Sequence, residues 1–173
     1  MSNTDKHLII IGGVAAGMKA AAKARRESQF VKITVFTNEE HISYAGCGMP
    51  YFIGDVIKEK KKLIIREPAY FKAMHNIDVL TLHRATAINA RLKQVVVKNL
   101  KTGQDLTFSY DKLIIATGAL PIVPSLPGIS LGNIFTLRTV ADAVQIKSLV
   151  DSGKVKNAVV AGSGFIGLEM AEN

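Results

Sequence analysis

The chain has 173 residues, 48% of them hydrophobic, with a formal net charge of +8 and a single cysteine. That is enough apolar chain for one good core and the start of a second, with no internal disulfide to staple it. No apolar run approaches the roughly 20 residues of a membrane-spanning helix. The polar start Met1-Ser2-Asn3-Thr4-Asp5-Lys6-His7 lacks the apolar segment of a signal peptide, so a reducing cytoplasm is the expected compartment and no membrane partner is expected. The positive charge suits phosphate-bearing ligands rather than nucleic acid. Basic residues are scattered outside Lys58-Glu59-Lys60-Lys61-Lys62, a run that reads as a solvated loop, and no aromatic platform accompanies them. The four histidines have no metal-ligand spacing.

In chain order, Leu8 to Ile11 is a continuous apolar run suited to a buried parallel strand. Gly12-Gly13-Val14-Ala15-Ala16-Gly17 follows, then a predicted helix from Met18 to Arg26 and a second strand at Lys32 to Phe36. In such a βαβ unit the glycines allow a tight turn and the close approach of a pyrophosphate, which the helix N-terminus holds. Val14 stands where the middle glycine of the G-x-G-x-x-G pattern would be. Thr37 replaces the acidic residue expected at the end of the second strand to bond a ribose, and Glu39 or Glu40 is the candidate substitute. On the predicted helix, Lys19, Lys23 and Arg26 share one face; they either meet a nucleotide's phosphates or form a solvated surface.

Cys47 lies between Gly46 and Gly48, and Met49-Pro50-Tyr51-Phe52-Ile53 reads as a helix start with proline in its first turn. A helix N-terminus favours a thiolate, the form that attacks disulfides and peroxides. The competing reading is a small packed hydrophobe. Further on, Pro68 opens a short helix, Ile77 to Leu82 and Ala85 to Ile88 read as strands, and Gln94 to Lys98 with Asp105 to Tyr110 completes a meander. Leu113 to Ile115 is another buried strand, ending at Ala116-Thr117-Gly118. Pro121, Pro124 and Pro127 then form a stiff connection that marks a domain boundary. A helix is predicted from Thr139 to Ser152, and a strand at Ala158 to Ala161. That strand runs into Gly162-Ser163-Gly164-Phe165-Ile166-Gly167-Leu168-Glu169, a full G-x-G-x-x-G opening a helix. The chain stops inside that helix, which suggests a piece of a longer protein.

These pieces, in this order, resemble the N-terminal part of the pyridine nucleotide-disulfide oxidoreductases. Within them the match is to the single-cysteine branch of coenzyme A-disulfide reductases, NADH oxidases, NADH peroxidases and persulfide reductases. The resemblance rests on the Gly12 turn, Ser43 to Tyr51, Ala116 to Pro121, Thr136-Leu137-Arg138 and the Gly162 motif. It implies an α/β fold. An FAD-binding Rossmann-like domain (1–120) with an inserted β-meander is expected, followed by a Pro-rich connection (121–135) and the start of a second Rossmann-like, NAD(P)-binding domain (136–173).

The resemblance also implies the chemistry. Electrons would pass from NADH or NADPH to FAD to Cys47, which would carry a mixed disulfide, persulfide or sulfenic acid. The dithiol members place a second cysteine where this chain has Ile42, so no intramolecular relay is expected. FAD would lie on Gly12, Gly13, Val14, Ala15, Ala16 and Gly17, with Ala85 near the adenine and Thr117, Gly118 and Arg138 near the rest of the cofactor. NAD(P)H would lie on Gly162, Gly164, Phe165, Ile166, Gly167 and Glu169. Coenzyme A would meet Lys19, Lys23, Arg26, Ser43, Gly46 and His75, although Gly46 replaces the asparagine of the coenzyme A enzymes. The full-length protein would be a homodimer acting on a small disulfide, persulfide, peroxide or oxygen. These 173 residues alone would bind FAD weakly and show no turnover. Two rival readings are an NADH oxidase or peroxidase, and a nucleotide-binding piece without catalysis.

Overall fold

The structure is a computed structural model that describes residues 6–173, so the polar residues 1–5 lie outside the described ones. It forms two compact units. The first takes in the chain up to Tyr44 together with Arg66–Gly118, and the second consists of Ala45–Ile65 and Ala119–Asn173.

In the first unit, four parallel strands are ordered β3-β2-β1-β7: β1 His7–Ile11, β2 Lys32–Phe36, β3 Asp78–Leu80 and β7 Lys112–Ile115. Ile9 pairs with Thr34 on one side and Leu113 on the other. Both faces are covered, which is why Leu8–Ile11 in β1 and Ile33, Val35 and Phe36 in β2 are apolar, with Thr34 buried among them. On one face, Leu8, Ile10, Ile33 and Val35 pack with Met18 and Ala21 of α1 (Ala15–Glu27) and Phe71 of α3 (Pro68–His75). On the other, Ile9, Ile11 and Phe36 meet Val95 and Val97 of an antiparallel sheet, β4 His83–Asn89, β5 Gln94–Asn99 and β6 Asp105–Ser109. The rings of Phe36 and Phe108 lie 4.7 Å apart between these layers. The expected α/β fold with an inserted meander is therefore present, although β3 is shorter than the run Ile77 to Leu82 suggests. Leu82 has a positive φ of 55° and begins the turn into β4.

Arg25, in the last turn of α1, holds two helix ends together. Its Nε donates to the His75 carbonyl (2.8 Å), Nη1 to Ser28 and Gln29 (3.1 and 2.6 Å), and Nη2 to Val31 and Asn76 (2.8 and 3.0 Å). All five guanidinium donors are used, on carbonyls at the C-terminal end of α3 and in the segment from the end of α1 to β2, where a cation also meets the negative ends of the helix dipoles. Arg25→Ala is expected to cost about 3 kcal/mol, read as a lower urea midpoint with unchanged slope. Arg25→Lys should recover less than half of that loss, because an ammonium cannot span the same fork of acceptors.

His7 has a pH-linked role at the start of β1. Its Nδ1 lies 2.9 Å from the Ser109 carbonyl, which can only accept, so Nδ1 carries the proton and Nε2 accepts from the Thr34 hydroxyl at 2.8 Å. Burial, then the charge of Lys32, pushes its pKa below the ordinary value of 6.5, outweighing the Ser109 carbonyl, Asp111 and Asp78. The unfolded chain takes up this proton near pH 6.5 and the folded chain only at lower pH. Stability should therefore be full above that value and fall as the pH drops below it. Thermal midpoints between about pH 5 and 7.5 should show this slope, and His7→Gln should flatten it.

In the second unit, α2 (Met49–Ile53) packs against α4 (Val140–Asp151), the helix expected from Thr139 to Ser152. Thr139 caps it with a capping box: its hydroxyl accepts the Asp142 N–H, and the Asp142 carboxylate accepts the Thr139 N–H at 2.7 Å. Lys147 of α4 donates to Asp55 (2.8 Å) and Asp151 (3.2 Å) and lies 5.6 Å from the centre of the Phe52 ring. The strand expected at Ala158 to Ala161 is not formed. No neighbouring strand among the described residues pairs with it, and Val159 remains exposed. The helix after it, α5 (Phe165–Glu172), is present. Among the described residues no helix is long and apolar enough to cross a membrane, and no three His, Cys, Asp or Glu side chains converge as a metal site.

Candidate functional site

The first glycine turn leaves the C-terminal end of β1. Gly12 has φ +119°, its N–H donates to the Phe36 carbonyl at 2.8 Å, and a Cβ on it would lie 2.1 Å from the Ala116 carbonyl oxygen. Only glycine meets both demands. The helix begins at Ala15, three residues before the predicted Met18, so Gly17 sits inside the first turn of α1 rather than ahead of it. A Cβ there would lie 1.8 Å from the Gly12 carbonyl oxygen. Gly17 therefore lets α1 press directly onto the turn, and Val14, the N-cap, needs no such freedom because its φ is −101°.

Thr117 and Gly118, at the end of β7, belong to the same place. The Ala116 N–H donates to the Ile11 carbonyl at 2.7 Å, and Gly118 has φ +70°. With β2 and β7 on opposite sides of β1, this is the point where strand order reverses, the crevice in which open α/β sheets bind ligands. The residues present fit a dinucleotide's pyrophosphate. A glycine cradle that side chains would fill opens at a helix N-terminus whose first turn holds no acidic residue. Ala85 lies in β4 next to a bulge between Ala85 and Ala87 and packs on the Val95 and Val97 cluster.

The loop after β2 folds back onto this turn. The Ser43 N–H donates to the Gly13 carbonyl at 2.9 Å, from a backbone with φ 47°. Thr37 is buried, its N–H bonded to the Leu80 carbonyl and its hydroxyl accepting the Glu39 N–H. The Tyr44 hydroxyl donates to Glu39 Oε2 at 2.7 Å. Lys19, Lys23 and Arg26 are exposed on α1, with Lys23 paired to Glu27. His75 closes α3, its ring against Tyr70 and Phe71. Sequence reasoning passed over Arg25 and the Tyr44–Glu39 pair. The first leaves no trace in the sequence, whereas the second had one in the acidic residues already noted after Thr37.

Cys47 belongs to the second unit and is exposed, which overturns the packed-hydrophobe reading. It sits at the middle of a single 3-10 turn, Gly46–Gly48, just before α2. Proline does fall in the first turn of α2, but that helix has only five residues, so its dipole is weaker than the full helix the sequence suggested. The two flanking glycines differ. A Cβ on Gly48 would meet Leu63 at 2.9 Å, whereas one on Gly46 would meet nothing within 4 Å. Arg138 donates from Nε to the Ala119 carbonyl at 2.8 Å.

The second glycine turn repeats the first. Gly162 has φ +124°, Gly164 is the N-cap of α5, and a Cβ on Gly167 would lie 2.1 Å from the Gly162 carbonyl oxygen. Phe165 and Ile166, in the first turn of α5, are exposed, and Glu169 lies one turn on.

Known proteins share this whole arrangement. The chain is 38% identical to the coenzyme A disulfide reductase of Staphylococcus haemolyticus over 97% of its own length and 38% of that protein's. It is 37% identical to an NADH oxidase of Methanocaldococcus jannaschii over 94% of its length and 36% of that protein's. The solved NAD-dependent persulfide reductase from A. fulgidus superposes with a TM-score of 0.91 and 40% identity, over 96% of this chain and 31% of that one. The family model for pyridine nucleotide-disulphide oxidoreductase matches residues 6–173, and the chain belongs to that family.

Proposed function

We propose that this chain is the FAD-binding part, with the start of the pyridine-nucleotide-binding part, of an enzyme that reduces coenzyme A disulfide or a related disulfide or persulfide through Cys47. The observation that carries this reading is the placement of the chain's one cysteine, exposed on a glycine-flanked turn, in a chain with two glycine turns shaped for dinucleotides. Enzymes of this family use FAD and NAD(P)H. FAD is assigned to Gly12–Gly17, Ala85, Thr117, Gly118 and Arg138. NADH or NADPH is assigned to Gly162–Gly167 and Glu169. When bound, FAD passes a hydride's two electrons from NAD(P)H toward sulfur.

The Cys47 thiolate attacks one sulfur of the substrate disulfide. The S–S bond breaks, one thiolate leaves, and Cys47 carries the other half as a mixed disulfide. Two electrons and a proton then release the second thiol and restore Cys47. Lys19, Lys23 and Arg26 are assigned to the phosphates of coenzyme A, and Ser43, Gly46 and His75 to the rest of that substrate. The full-length protein is assigned a homodimeric state in a reducing cytoplasm.

A second reading, NADH oxidase or peroxidase, draws on the Methanocaldococcus relative and on the same exposed thiol, which would cycle as a sulfenic acid. Intact mass of the full-length protein purified without reductant separates the two. A thiol-reversible adduct of coenzyme A size on Cys47 supports the disulfide reductase, added oxygen supports the oxidase or peroxidase, and added sulfur supports a persulfide substrate.

A further inference from the structure

Thr37 stands where the strand-end carboxylate of a dinucleotide fold bonds the ribose, and the structure shows why it cannot fill that place. Its side chain is 5% exposed and lies 3.0 Å from an ideal Cβ on Gly13, and its hydroxyl already accepts the Glu39 N–H at 3.3 Å. Two residues on, Glu39 is built as a positioned acid. The Glu39 carbonyl accepts the Leu82 N–H at 3.2 Å, and Tyr44, itself 6% exposed, fixes one carboxylate oxygen through its hydroxyl at 2.7 Å. The loop that carries both is tied to the cofactor turn at two points. Gly12 donates to the Phe36 carbonyl at the start of the loop, and Ser43 donates to the Gly13 carbonyl near its end. Glu40, the other acid, is exposed.

From this placement we propose that Glu39, oriented by Tyr44, accepts the hydrogen bonds of the adenosine ribose hydroxyls of FAD, in place of the strand-end acid that Thr37 has displaced. With one oxygen occupied by Tyr44, the other is left to take a ribose hydroxyl as a charge-assisted bond. This rests on the assignment of FAD to the Gly12 turn.

The test is a binding cycle on the full-length protein, read by flavin fluorescence, with FAD and with FAD lacking the adenosine 2′-hydroxyl, for wild type, Glu39→Gln and Tyr44→Phe. Glutamine still accepts from Tyr44, so the fold is kept and only the charge is removed. For wild type, removing the hydroxyl should weaken binding on the order of ten- to a hundredfold. Glu39→Gln should weaken FAD by a similar factor and become indifferent to the missing hydroxyl, with Tyr44→Phe falling between. Glu39→Gln that binds FAD as tightly as wild type, or that still discriminates between the two flavins as wild type does, overturns the role of Glu39 while leaving FAD binding intact. A wild-type protein that binds neither flavin overturns the cofactor assignment itself, and this proposal with it.

Discussion

In the full-length enzyme, Cys47→Ser should lower NAD(P)H-driven disulfide or persulfide reduction by at least about a thousandfold while leaving FAD affinity and thermal stability unchanged. A serine hydroxyl is protonated at every working pH and cannot form the mixed disulfide. Serine differs from cysteine by one atom, oxygen for sulfur, so the substitution leaves no appreciable cavity, and its stability effect should stay within about 1 kcal/mol. Three readouts are therefore expected to separate: turnover lost, flavin bound, melting temperature kept. Turnover that survives in Cys47→Ser would remove the thiol from the reaction altogether.

Gly17→Ala should do the reverse, harming fold and cofactor binding together. The added methyl would sit 1.8 Å from the Gly12 carbonyl oxygen and 2.9 Å from its carbon, with the Ile10 side chain 3.4 Å away. None of these is a flexible side-chain tip that can swing aside at no cost. The backbone of the turn or the whole of α1 must move by more than an ångström. The expected cost is about 3 kcal/mol, a fall in melting temperature of roughly 6–12 °C. FAD affinity should drop at least about tenfold, because the displaced element is the helix start assigned to the pyrophosphate. Gly46→Ala is the matching control. A Cβ there meets nothing within 4 Å, so neither stability nor flavin binding should change. Equal behaviour of the two alanine variants would mean that the contact at Gly17 is not what shapes the turn.

What could be read from the residues divides along a physical line. Lys32–Phe36 is legible to the residue because it follows the glycine turn and helix of a βαβ unit, and the last helix before the second glycine turn because Thr139 and Ser152 flank its apolar periodicity. The start of α1 was set three residues late, since Ala15-Ala16-Gly17 looks like loop until the Gly12 carbonyl is seen beneath Gly17. The strand at Ala158 to Ala161 has the right composition, but a strand exists only with a neighbour, and composition does not supply one. The interactions least visible from the sequence are those between distant positions. Nothing local tells Arg25 that its acceptors include His75 and Asn76, or Lys147 that Asp55 awaits it 92 positions earlier. The site residues followed the same rule. The glycines announce themselves through backbone geometry, whereas the Tyr44–Glu39 pair becomes visible only once the loop has closed.

The likeness between the two glycine turns also bears on the order in which the chain acquires its structure. The turn at Gly162 adopts a similar positive φ and a similarly close approach of its third glycine to the turn at Gly12, and among the described residues no strand pairs beside it. The approach joins residues five apart, and closures so local take far less time than the pairing of parallel strands, so such a turn is expected to form before the sheet beside it. In the first unit the neighbouring strand then adds a further tie, the Ala116 N–H donating to the Ile11 carbonyl one residue before Gly12.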